Sequence, residues 1–377
     1  MTVYMEDNRM KILMTTDTVG GVWTYSLELC KALNEHNIEV HLAAMGAWPT
    51  AEQEREASKM ANIVLYKSDY KLEWMQDPWE DLEKAHKWIA SIYQTIHPDV
   101  VHFNNYAHIE NFWSCPIVTV YHSCVQTWWQ AVKGTSAPSA WSRYTALVKD
   151  SLNTSDIVVS PTKAILEKAV RVHNVKSPTD VIYNGRELEF SEEVEKENFI
   201  LCMGRIWDEA KNLSLLSRIA KNLPWPVYIA GNNVNPNTGK EVEIENVRFL
   251  GELSSEEAWN MMQRAAIFAS PTKYEPFGLA ILEAAKAGCA LALSNIETLK
   301  ELWSSAASFF DPENPEDTEK EILQLIEDKE YREVMAKKAQ SQSEAYNLQK
   351  MGSEYAALYK RLIVSRKTDI NQLIPSL

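Results

Sequence analysis

Two glutamates, Glu275 and Glu283, bracket the stretch of this sequence whose residue types are best suited to chemistry. Residues 270–278 contain two prolines and indicate a loop, and residues 279–287 are good helix formers that end before Gly288. A loop that leads from a strand into a helix directs the free N–H groups of the helix toward the carboxyl end of a sheet, where anions bind. Anion-binding amides with a carboxylate on either side suit a ligand that carries phosphates beside hydroxyl groups, such as a nucleotide sugar.

Two glycines and one histidine follow other predicted strands at their carboxyl ends. Gly20 and Gly21 would let the backbone approach a phosphate closely, although the same pair also suits an ordinary turn. His122 comes directly after the strand that ends at Tyr121. A lone histidine is more often a structural residue, but a position at the carboxyl tip of a strand favours a functional role.

Two cations, Arg205 and Lys211, lie close together in the second half of the chain. Arg205 follows Gly204 at the end of a predicted strand, and Lys211 lies on the turn into the next helix. Two cations beside a glycine suit a diphosphate, because both side chains donate charge-assisted hydrogen bonds to phosphate oxygens. The alternative is a solvated pair of surface charges.

Length and composition limit the class of protein. A chain of 377 residues exceeds one ordinary hydrophobic core, which predicts two domains. The formal net charge of -14 argues against a nucleic-acid partner and predicts at most a peripheral membrane contact. The five cysteines lack metal-ligand spacing, so no metal or cofactor site is predicted. Their odd number, with no signal peptide and no apolar run of about 18 residues, predicts a cytoplasmic protein.

Short apolar runs alternate with amphipathic segments along most of the chain. Such runs predict parallel strands buried on both faces, and the amphipathic segments predict helices packed against them. The predicted strands are residues 11–15, 40–44, 62–66, 99–103, 117–121, 157–160, 180–183, 199–204, 226–231, 247–251, 267–269, 290–293 and 307–311. After the last of them, the pattern predicts helix to about Arg366.

The alternation of strands and helices is interrupted at residues 187–198, a charged stretch without glycine that we interpret as a linker. The predicted fold class is therefore α/β, with two Rossmann-like domains in tandem, residues 1–190 and residues 191–355. Ligands of open α/β sheets bind beyond the carboxyl ends of the strands. Two such domains that face each other form a cleft between them.

With these features in place, the chain resembles a retaining glycosyltransferase of family 4, a family with the GT-B fold. The motifs that carry the resemblance occur in order and at consistent spacing through nearly the whole chain. They are Gly20-Gly21, Tyr121-His122, Ser160-Pro161-Thr162-Lys163, Ile182-Tyr183-Asn184-Gly185, Gly204-Arg205 with Lys211, Ala230-Gly231, Phe249-Leu250-Gly251 and the pair Glu275 and Glu283. Each motif alone is a modest signal, and the set together is specific.

The resemblance implies a role for each matching residue in the cleft. Arg205 and Lys211 would neutralise the donor diphosphate in place of a metal ion, and Glu275 and His122 would complete the catalytic set beside the donor sugar. The donor-binding residues would be Gly20, Gly21, Phe277, Gly278, Leu279, Ala280, Glu283, Arg248 and Leu250. Within that set, Glu283 would accept the ribose hydroxyls, and backbone groups of residues 248–250 would contact the base.

The resemblance also divides the work between the domains. Residues 1–190 would bind the acceptor, residues 191–355 would bind the donor, and a terminal helix at about 356–377 would pack back on the first domain. Tyr121, Trp128 and Trp129 are the candidates for acceptor binding, although burial in a helix core explains these aromatic residues equally well.

Two departures from the family pattern fall at functional positions. Ser123 stands where an acid often follows the family histidine, so this neighbour does not fix the orientation of His122. The loop from Arg205 to Lys211 is one residue longer than its commonest form. Since Lys211 still opens a helix, the role implied for it is kept.

The predicted activity is that of a retaining hexosyltransferase, which moves a sugar from a UDP- or GDP-sugar to a hydroxyl of a glycan or small-molecule acceptor without a metal. Polysaccharide or glycoconjugate biosynthesis is the expected setting, and the oligomeric state is left open. Two alternatives share the fold: a non-transferring enzyme of the epimerase or phosphorylase type, and a scaffold subunit that binds nucleotide sugars. An epimerase needs further acids and histidines in the cleft and a cofactor-dependent phosphorylase needs a Schiff-base lysine, and the sequence offers no convincing candidate for either.

Overall fold

A computed structural model describes residues 9–108, 112–188, 194–235 and 239–373, and it contains two parallel sheets flanked by helices. Part of the predicted linker, residues 189–193, and the last residues of the predicted terminal helix, 374–377, lie outside the described residues. The first sheet lies before the predicted linker, and the second begins at Glu197, so its first strand includes the last two residues of that linker.

The first sheet has seven parallel strands in the order β3-β2-β1-β4-β5-β6-β7. Its elements are β1 (Met10–Asp17), α1 (Gly21–Asn34), β2 (Ile38–Met45), α2 (Ala51–Ser58), β3 (Ile63–Lys67), α3 (Trp79–Ile96), β4 (Val100–Phe103), β5 (Ile117–Val120), α4 (Val125–Lys133), α5 (Ser142–Thr154), β6 (Ile157–Ser160), α6 (Lys163–His173) and β7 (Thr179–Val181). Strands β4, β5 and β6 are buried at every residue, which explains why apolar residues predominate in each of them.

The second sheet has six parallel strands in the order β10-β9-β8-β11-β12-β13. Its elements are β8 (Glu197–Met203), α7 (Ser214–Ile219), β9 (Val227–Ala230), β10 (Arg248–Gly251), α8 (Ser255–Arg264), β11 (Ala265–Ser270), α9 (Leu279–Lys286), β12 (Ala290–Ser294), α10 (Glu297–Trp303), β13 (Ser308–Phe310), α11 (Pro315–Glu327), α12 (Lys329–Ser343) and α13 (Leu348–Leu373). Every predicted strand overlaps an observed one, and the α/β fold with two tandem domains is confirmed.

The last helix, α13, returns to the first domain and packs against α1. The hydroxyl of Tyr25 donates to that of Tyr355 at 2.7 Å, and the Nδ1 atom of His102 lies 2.6 Å from the hydroxyl of Tyr359. A Cβ at Gly352 would lie 2.6 Å from the Cβ of Ala32, so the two helices approach as closely as glycine permits. The helix begins at Leu348, about two turns before the sequence places it.

The two domains contact each other directly on the side of α6. Glu301, on α10 of the second domain, accepts hydrogen bonds from the backbone N–H groups of Lys163 and Ala164 at 2.8 Å each. These N–H groups are free because they lie in the first turn of α6. The carboxylate of Glu301 therefore caps a helix of the other domain and also complements its dipole.

Candidate active site

Lys211 and Glu275 form a partly buried ion pair at the carboxyl ends of β8 and β11. The Nζ atom of Lys211 lies 2.6 Å from the Oε2 atom of Glu275, and the side chains are 23% and 15% exposed. Lys211 ends a short 3₁₀ turn, Glu209–Lys211, and Glu275 lies in the loop that leads into α9. The contact brings together the two residues to which the sequence assigns the leaving group and the donor sugar.

The two loops that carry this ion pair are joined by hydrogen bonds from side chains to backbone carbonyl groups. Asn212 adopts a φ of 53°, which asparagine tolerates well, and its amide donates to the carbonyl oxygens of Pro271 and Pro312 at 2.9 Å each. The carbonyl of Ala210 accepts from the hydroxyl of Thr272 at 2.7 Å. The extra residue in the loop before Lys211 is therefore absorbed without displacing the lysine from Glu275.

Arg205 lies at the end of β8 and faces the glycine loop of the other domain. A Cβ at Gly20 would lie 3.6 Å from the Nη1 atom of Arg205. The guanidinium is 43% exposed and donates from Nη2 to the Oδ2 atom of Asp208 at 2.8 Å. Behind it, a Cβ at Gly231 would lie 2.0 Å from the carbonyl oxygen of Gly204, so this close approach of two backbone segments requires glycine.

The glycine loop between β1 and α1 is shaped by Asp17. Its Oδ1 atom accepts from the backbone N–H groups of Val19 and Gly20 at 3.0 Å each. Burial raises the pKa of Asp17, and the two N–H groups and the charge of Arg205 oppose that rise. Gly21 begins α1, and a Cβ there would meet nothing within 4 Å. The loop thus leaves open space beside Arg205, at the amino end of a helix, where a phosphate is favoured.

His122 follows β5 and is oriented by Asn104, a residue that the sequence analysis missed. The Nε2 atom of His122 lies 2.8 Å from the Oδ1 atom of Asn104, whose Nδ2 atom donates to the carbonyl of Thr15 at 2.8 Å. The bond to Thr15 identifies Oδ1 as the acceptor, so His122 carries its proton on Nε2. Desolvation lowers the pKa of His122 to about 3, and nearby His102 adds to the effect. The ring is therefore neutral at pH 7, with Nδ1 as an acceptor.

Glu283 lies on α9, and its carboxylate binds Arg186 at 2.7 Å through Oε1 and Nε. Arg186 also contacts Glu28 of α1, in the first domain. Neither partner was identified from the sequence. Arg186 does come directly after the Asn184-Gly185 motif, which is the signal that could have drawn attention to it.

The amino end of α9 offers two free backbone donors. Gly278 caps the helix with a φ of 86°, and the first amides with helical partners are those of Ile281 and Leu282, which donate to the Gly278 carbonyl. The N–H groups of Leu279 and Ala280 precede them, so helix geometry leaves both free for a ligand. Phe277, just before the cap, is buried in the core of this domain and helps to fix the loop.

Arg248 and Leu250 lie on β10, the edge strand of the second sheet. The guanidinium of Arg248 lies over the ring of Tyr228, 5.2 Å from its centroid. Leu250 packs on the apolar cluster that also contains Phe277 and Leu279. This placement keeps the backbone of β10 available at the sheet edge, and the contact with a base stays a prediction.

The three aromatic candidates for acceptor binding occupy different environments. Tyr121 is 0% exposed, and its hydroxyl lies 2.9 Å from the Sγ atom of Cys124, so its ring has no free surface for a ligand. Trp128 donates from its indole nitrogen to Asp208 at 3.3 Å, across the gap between the domains. Trp129 packs edge-on against Trp128. Trp128 thus contacts the residue that also holds Arg205.

A buried acid that the sequence analysis did not single out, Glu73, lies in the first domain before α3. It is 4% exposed, and its Oε1 atom accepts from the backbone N–H of Tyr106 at 3.3 Å. The pKa of Glu73 is raised to about 7, chiefly by burial and in small part by the charge of Asp17.

Two searches of the described residues gave negative findings. Among residues 9–108, 112–188, 194–235 and 239–373, no group of three or more His, Cys, Asp or Glu side chains is arranged to hold a metal ion. Within the same part of the chain, none of the helices combines the length and the apolar character needed to cross a membrane.

Two family profiles match adjacent parts of the sequence. The family described as "Glycosyltransferase Family 4" matches residues 19–190, and the family described as "Glycosyl transferases group 1" matches residues 185–342. The boundary between the two matches falls at the predicted linker.

Curated relatives are also glycosyltransferases. An uncharacterised glycosyltransferase of Methanocaldococcus jannaschii is 22% identical over 374 residues, which cover 94% of this chain and 99% of that protein. The O-antigen chain mannosyltransferase B of Escherichia coli is 29% identical over 116 residues, which are 31% of this chain and 30% of the relative. An N-acetylgalactosaminyltransferase of Campylobacter jejuni, which acts on N,N'-diacetylbacillosaminyl-diphospho-undecaprenol, is 27% identical over 45% of this chain and 46% of the relative.

Solved structures share the fold over nearly the whole chain. The sucrose-phosphate synthase of Thermosynechococcus elongatus superimposes with a TM-score of 0.77 at 15% identity, covering 95% of this chain and all of that one (100%). Anabaena HepE, solved in complex with UDP-glucose, gives a TM-score of 0.71 at 15% identity over 94% of this chain and 100% of that chain.

Proposed function

We propose that this protein transfers a hexose from a UDP- or GDP-sugar to a hydroxyl group of a glycan or small-molecule acceptor. The basis is that the chain is a GT-B glycosyltransferase of the family 4 type. The transfer retains the anomeric configuration and needs no metal ion. The observation that carries this proposal is the ion pair of Lys211 and Glu275, with Arg205 beside it facing the glycine loop of the other domain.

This arrangement suits a diphosphate leaving group flanked by a sugar. Lys211 and Arg205 supply two positive charges on one side, and the free amides of Leu279 and Ala280 supply donors at the start of α9. Charge on the departing diphosphate develops in the transition state, and fixed cations in a closed cleft stabilise it without a bound metal. A metal-independent mechanism follows from these side chains and is part of the proposal.

Glu275 serves two functions in this proposal. Its Oε2 atom holds the ammonium group of Lys211 in place, and its carboxylate accepts hydrogen bonds from hydroxyl groups of the donor sugar. His122, which is neutral and oriented by Asn104, follows β5 of the first domain, and in this proposal its Nδ1 atom accepts a hydrogen bond from a sugar hydroxyl. The acceptor enters between the domains, where Trp128 and Asp208 meet.

The relatives and neighbours guide the choice of donors to test. The solved Anabaena HepE holds UDP-glucose, the E. coli relative is named a mannosyltransferase, and the C. jejuni relative is named an N-acetylgalactosaminyltransferase. A first panel therefore contains UDP-glucose, UDP-N-acetylgalactosamine and GDP-mannose, with the free nucleotides UDP and GDP. Glycans and membrane-extracted lipid-linked sugars form the acceptor panel.

A thermal-shift screen of the wild-type protein with this donor panel, in EDTA, tests the proposal. A donor present at 100 times its Kd stabilises the folded state by about 2.7 kcal/mol, so at least one nucleotide sugar is expected to raise the melting temperature clearly. ATP at the same concentration is the control and is expected to give a smaller shift. If no nucleotide sugar raises the melting temperature, the donor-site assignment is wrong. Binding without any transfer to the acceptor panel would favour the scaffold alternative.

A further inference from the structure

Arg186 lies between two carboxylates that belong to different domains. Its Nε atom donates to the Oε1 atom of Glu283 on α9 at 2.7 Å, and its Nη1 atom contacts Glu28 on α1. The side chains are 11% exposed for the arginine and 13% for each glutamate. The three residues therefore form one ionic cluster, which is largely withdrawn from water and joins the first domain, the segment between the domains and the second domain.

This cluster holds two negative charges and one positive charge, so its formal charge is -1. Burial raises the pKa of Glu28 and of Glu283, and Arg186 opposes both rises. The guanidinium also lies over Trp259, 5.6 Å from the ring centroid. Arg186 is thus the cation that favours the ionised form of both desolvated carboxylates, and Lys31 adds to this effect at Glu28.

The position of the contact on Glu283 matters for the donor. Arg186 takes the Oε1 atom, so the Oε2 atom is the one that a ligand can use. The charge-assisted hydrogen bond from Nε restrains the Glu283 carboxylate, and with it the direction of the second oxygen, while Glu28 holds the guanidinium in place. An ionised and fixed oxygen of this kind accepts hydrogen bonds from hydroxyl groups more strongly than a neutral or mobile one.

We propose that Arg186 is a positioning residue for the nucleotide end of the donor: it orients Glu283 so that the carboxylate receives the ribose hydroxyl groups. The inference rests on the proposed function, because it needs a nucleotide donor in the cleft. It also gives Glu28 a role, since this residue of α1 holds the guanidinium from the other domain. Ribose recognition is thereby coupled to the contact between the two domains.

The experiment measures how strongly the protein distinguishes a ribose from a ribose without hydroxyls. Isothermal titration gives the Kd of UDP and of 2′,3′-dideoxy-UDP, or of the guanosine pair if the screen selects GDP, for the wild type and for Arg186→Met. The wild type is expected to bind the ribonucleotide about ten- to hundredfold more tightly, as hydrogen bonds to a charged acceptor predict. In Arg186→Met the ratio is expected to fall to about threefold or less, because Glu283 and Glu28 then share a buried site without a cation.

Three further variants separate positioning from general damage. Glu28→Gln removes the charge that holds the guanidinium from the first domain but leaves Arg186 on Glu283, so it is expected to reduce the preference for ribose less than Arg186→Met does. Arg264→Met is the matched control, because Arg264 also binds a glutamate, Glu197, through Nε at 2.6 Å, but the two side chains are 39% and 50% exposed. This variant is expected to change the Kd of neither nucleotide. Arg186→Lys, which keeps the charge, is expected to give an intermediate ratio and serves if the methionine variant does not fold.

Two results would overturn the inference while leaving the transferase proposal standing. One is an equal loss of affinity for both nucleotides in the folded Arg186 variants, which is what a merely structural role predicts. The other is a wild type that binds both nucleotides equally, since Glu283 would then not contact the ribose. A wild type that binds neither UDP nor GDP would instead remove the proposed function itself, and the inference with it.

Discussion

Replacing Lys211 with methionine is expected to lower kcat for sugar transfer by about 10²- to 10³-fold, the usual loss when one fixed donor to a developing negative charge is removed. The methionine keeps the length of the side chain and loses the ammonium group that lies 2.6 Å from Glu275. The leaving diphosphate then lacks one of its two cations. The measurement is the initial rate of nucleoside diphosphate release at saturating donor and acceptor, with the donor that the thermal-shift screen selects.

A neighbouring lysine provides the control for this variant. Lys273 lies in the loop that carries Glu275 and binds Glu313 at 3.0 Å, a glutamate that is 73% exposed. Lys273→Met is expected to retain a rate close to that of the wild type. Wild-type kcat in the Lys211 variant would show that this lysine does not stabilise the leaving group.

Replacing Glu275 with glutamine is expected to lower kcat by about 10²-fold, with a fold and melting temperature close to the wild type. Glutamine has the same shape as glutamate but carries no charge. The variant therefore loses both the attraction that holds Lys211 and the charged acceptor for the sugar hydroxyls. Hydrogen bonds to charged groups contribute about 1.5–3 kcal/mol each. The measurement is again the initial rate, with Kd for the donor determined in parallel. Glu313→Gln, at the exposed partner of Lys273, is the matched control.

The Glu275 variant also separates two roles of the carboxylate. If only the position of Lys211 depended on Glu275, the variant would lose rate with every donor to the same extent. If the carboxylate also binds the sugar, Glu275→Gln lowers the rate less with a donor whose sugar lacks the hydroxyl group that the carboxylate binds. An unchanged rate with all donors would remove Glu275 from the catalytic set.

The strands and their order of succession were predictable because each is a short apolar run bounded by polar residues. Strands that are buried on both faces, such as β5 and β6, consist mainly of Val and Ile, and the buried polar side chains Thr119 and Ser160 are hydrogen-bonded, so these strands stand out from the polar segments around them. The glycine at the start of α9 was predictable for a different reason. Gly278 has a φ of 86°, a conformation that side chains other than glycine rarely adopt.

Contacts between distant residues were not predictable in this way. Arg186 and Glu283 are 97 positions apart and Arg186 and Glu28 are 158 apart, so no local pattern records either contact. The orientation of His122 by Asn104 depends on a residue on the neighbouring strand rather than on the adjacent Ser123. Single-sequence reasoning assigns each residue to a helix, strand or loop, and only the fold determines which side chains meet.

Local signals also gave wrong details where two interpretations compete. An Asp-Pro dipeptide usually predicts that the aspartate caps a helix whose first residue is proline. At the start of α3, however, Asp77 has a φ of 47°, Pro78 is the cap and the helix begins at Trp79. For the aromatic residues, the sequence could not distinguish acceptor binding from burial in a core. Tyr121 lies inside the core, and Trp128 lies at the gap between the domains.

The most direct test of the proposed activity is the anomeric configuration of the product formed in EDTA. NMR of the reaction with the selected donor and acceptor reports the one-bond C–H coupling constant of the anomeric carbon, which distinguishes the two anomers of glucose and of mannose alike, as the product accumulates. We expect a product with the same anomeric configuration as the donor, formed at an undiminished rate in EDTA, because Arg205 and Lys211 replace the metal ion. A product of inverted configuration, or transfer that stops in EDTA and resumes with added Mg²⁺, would contradict this expectation.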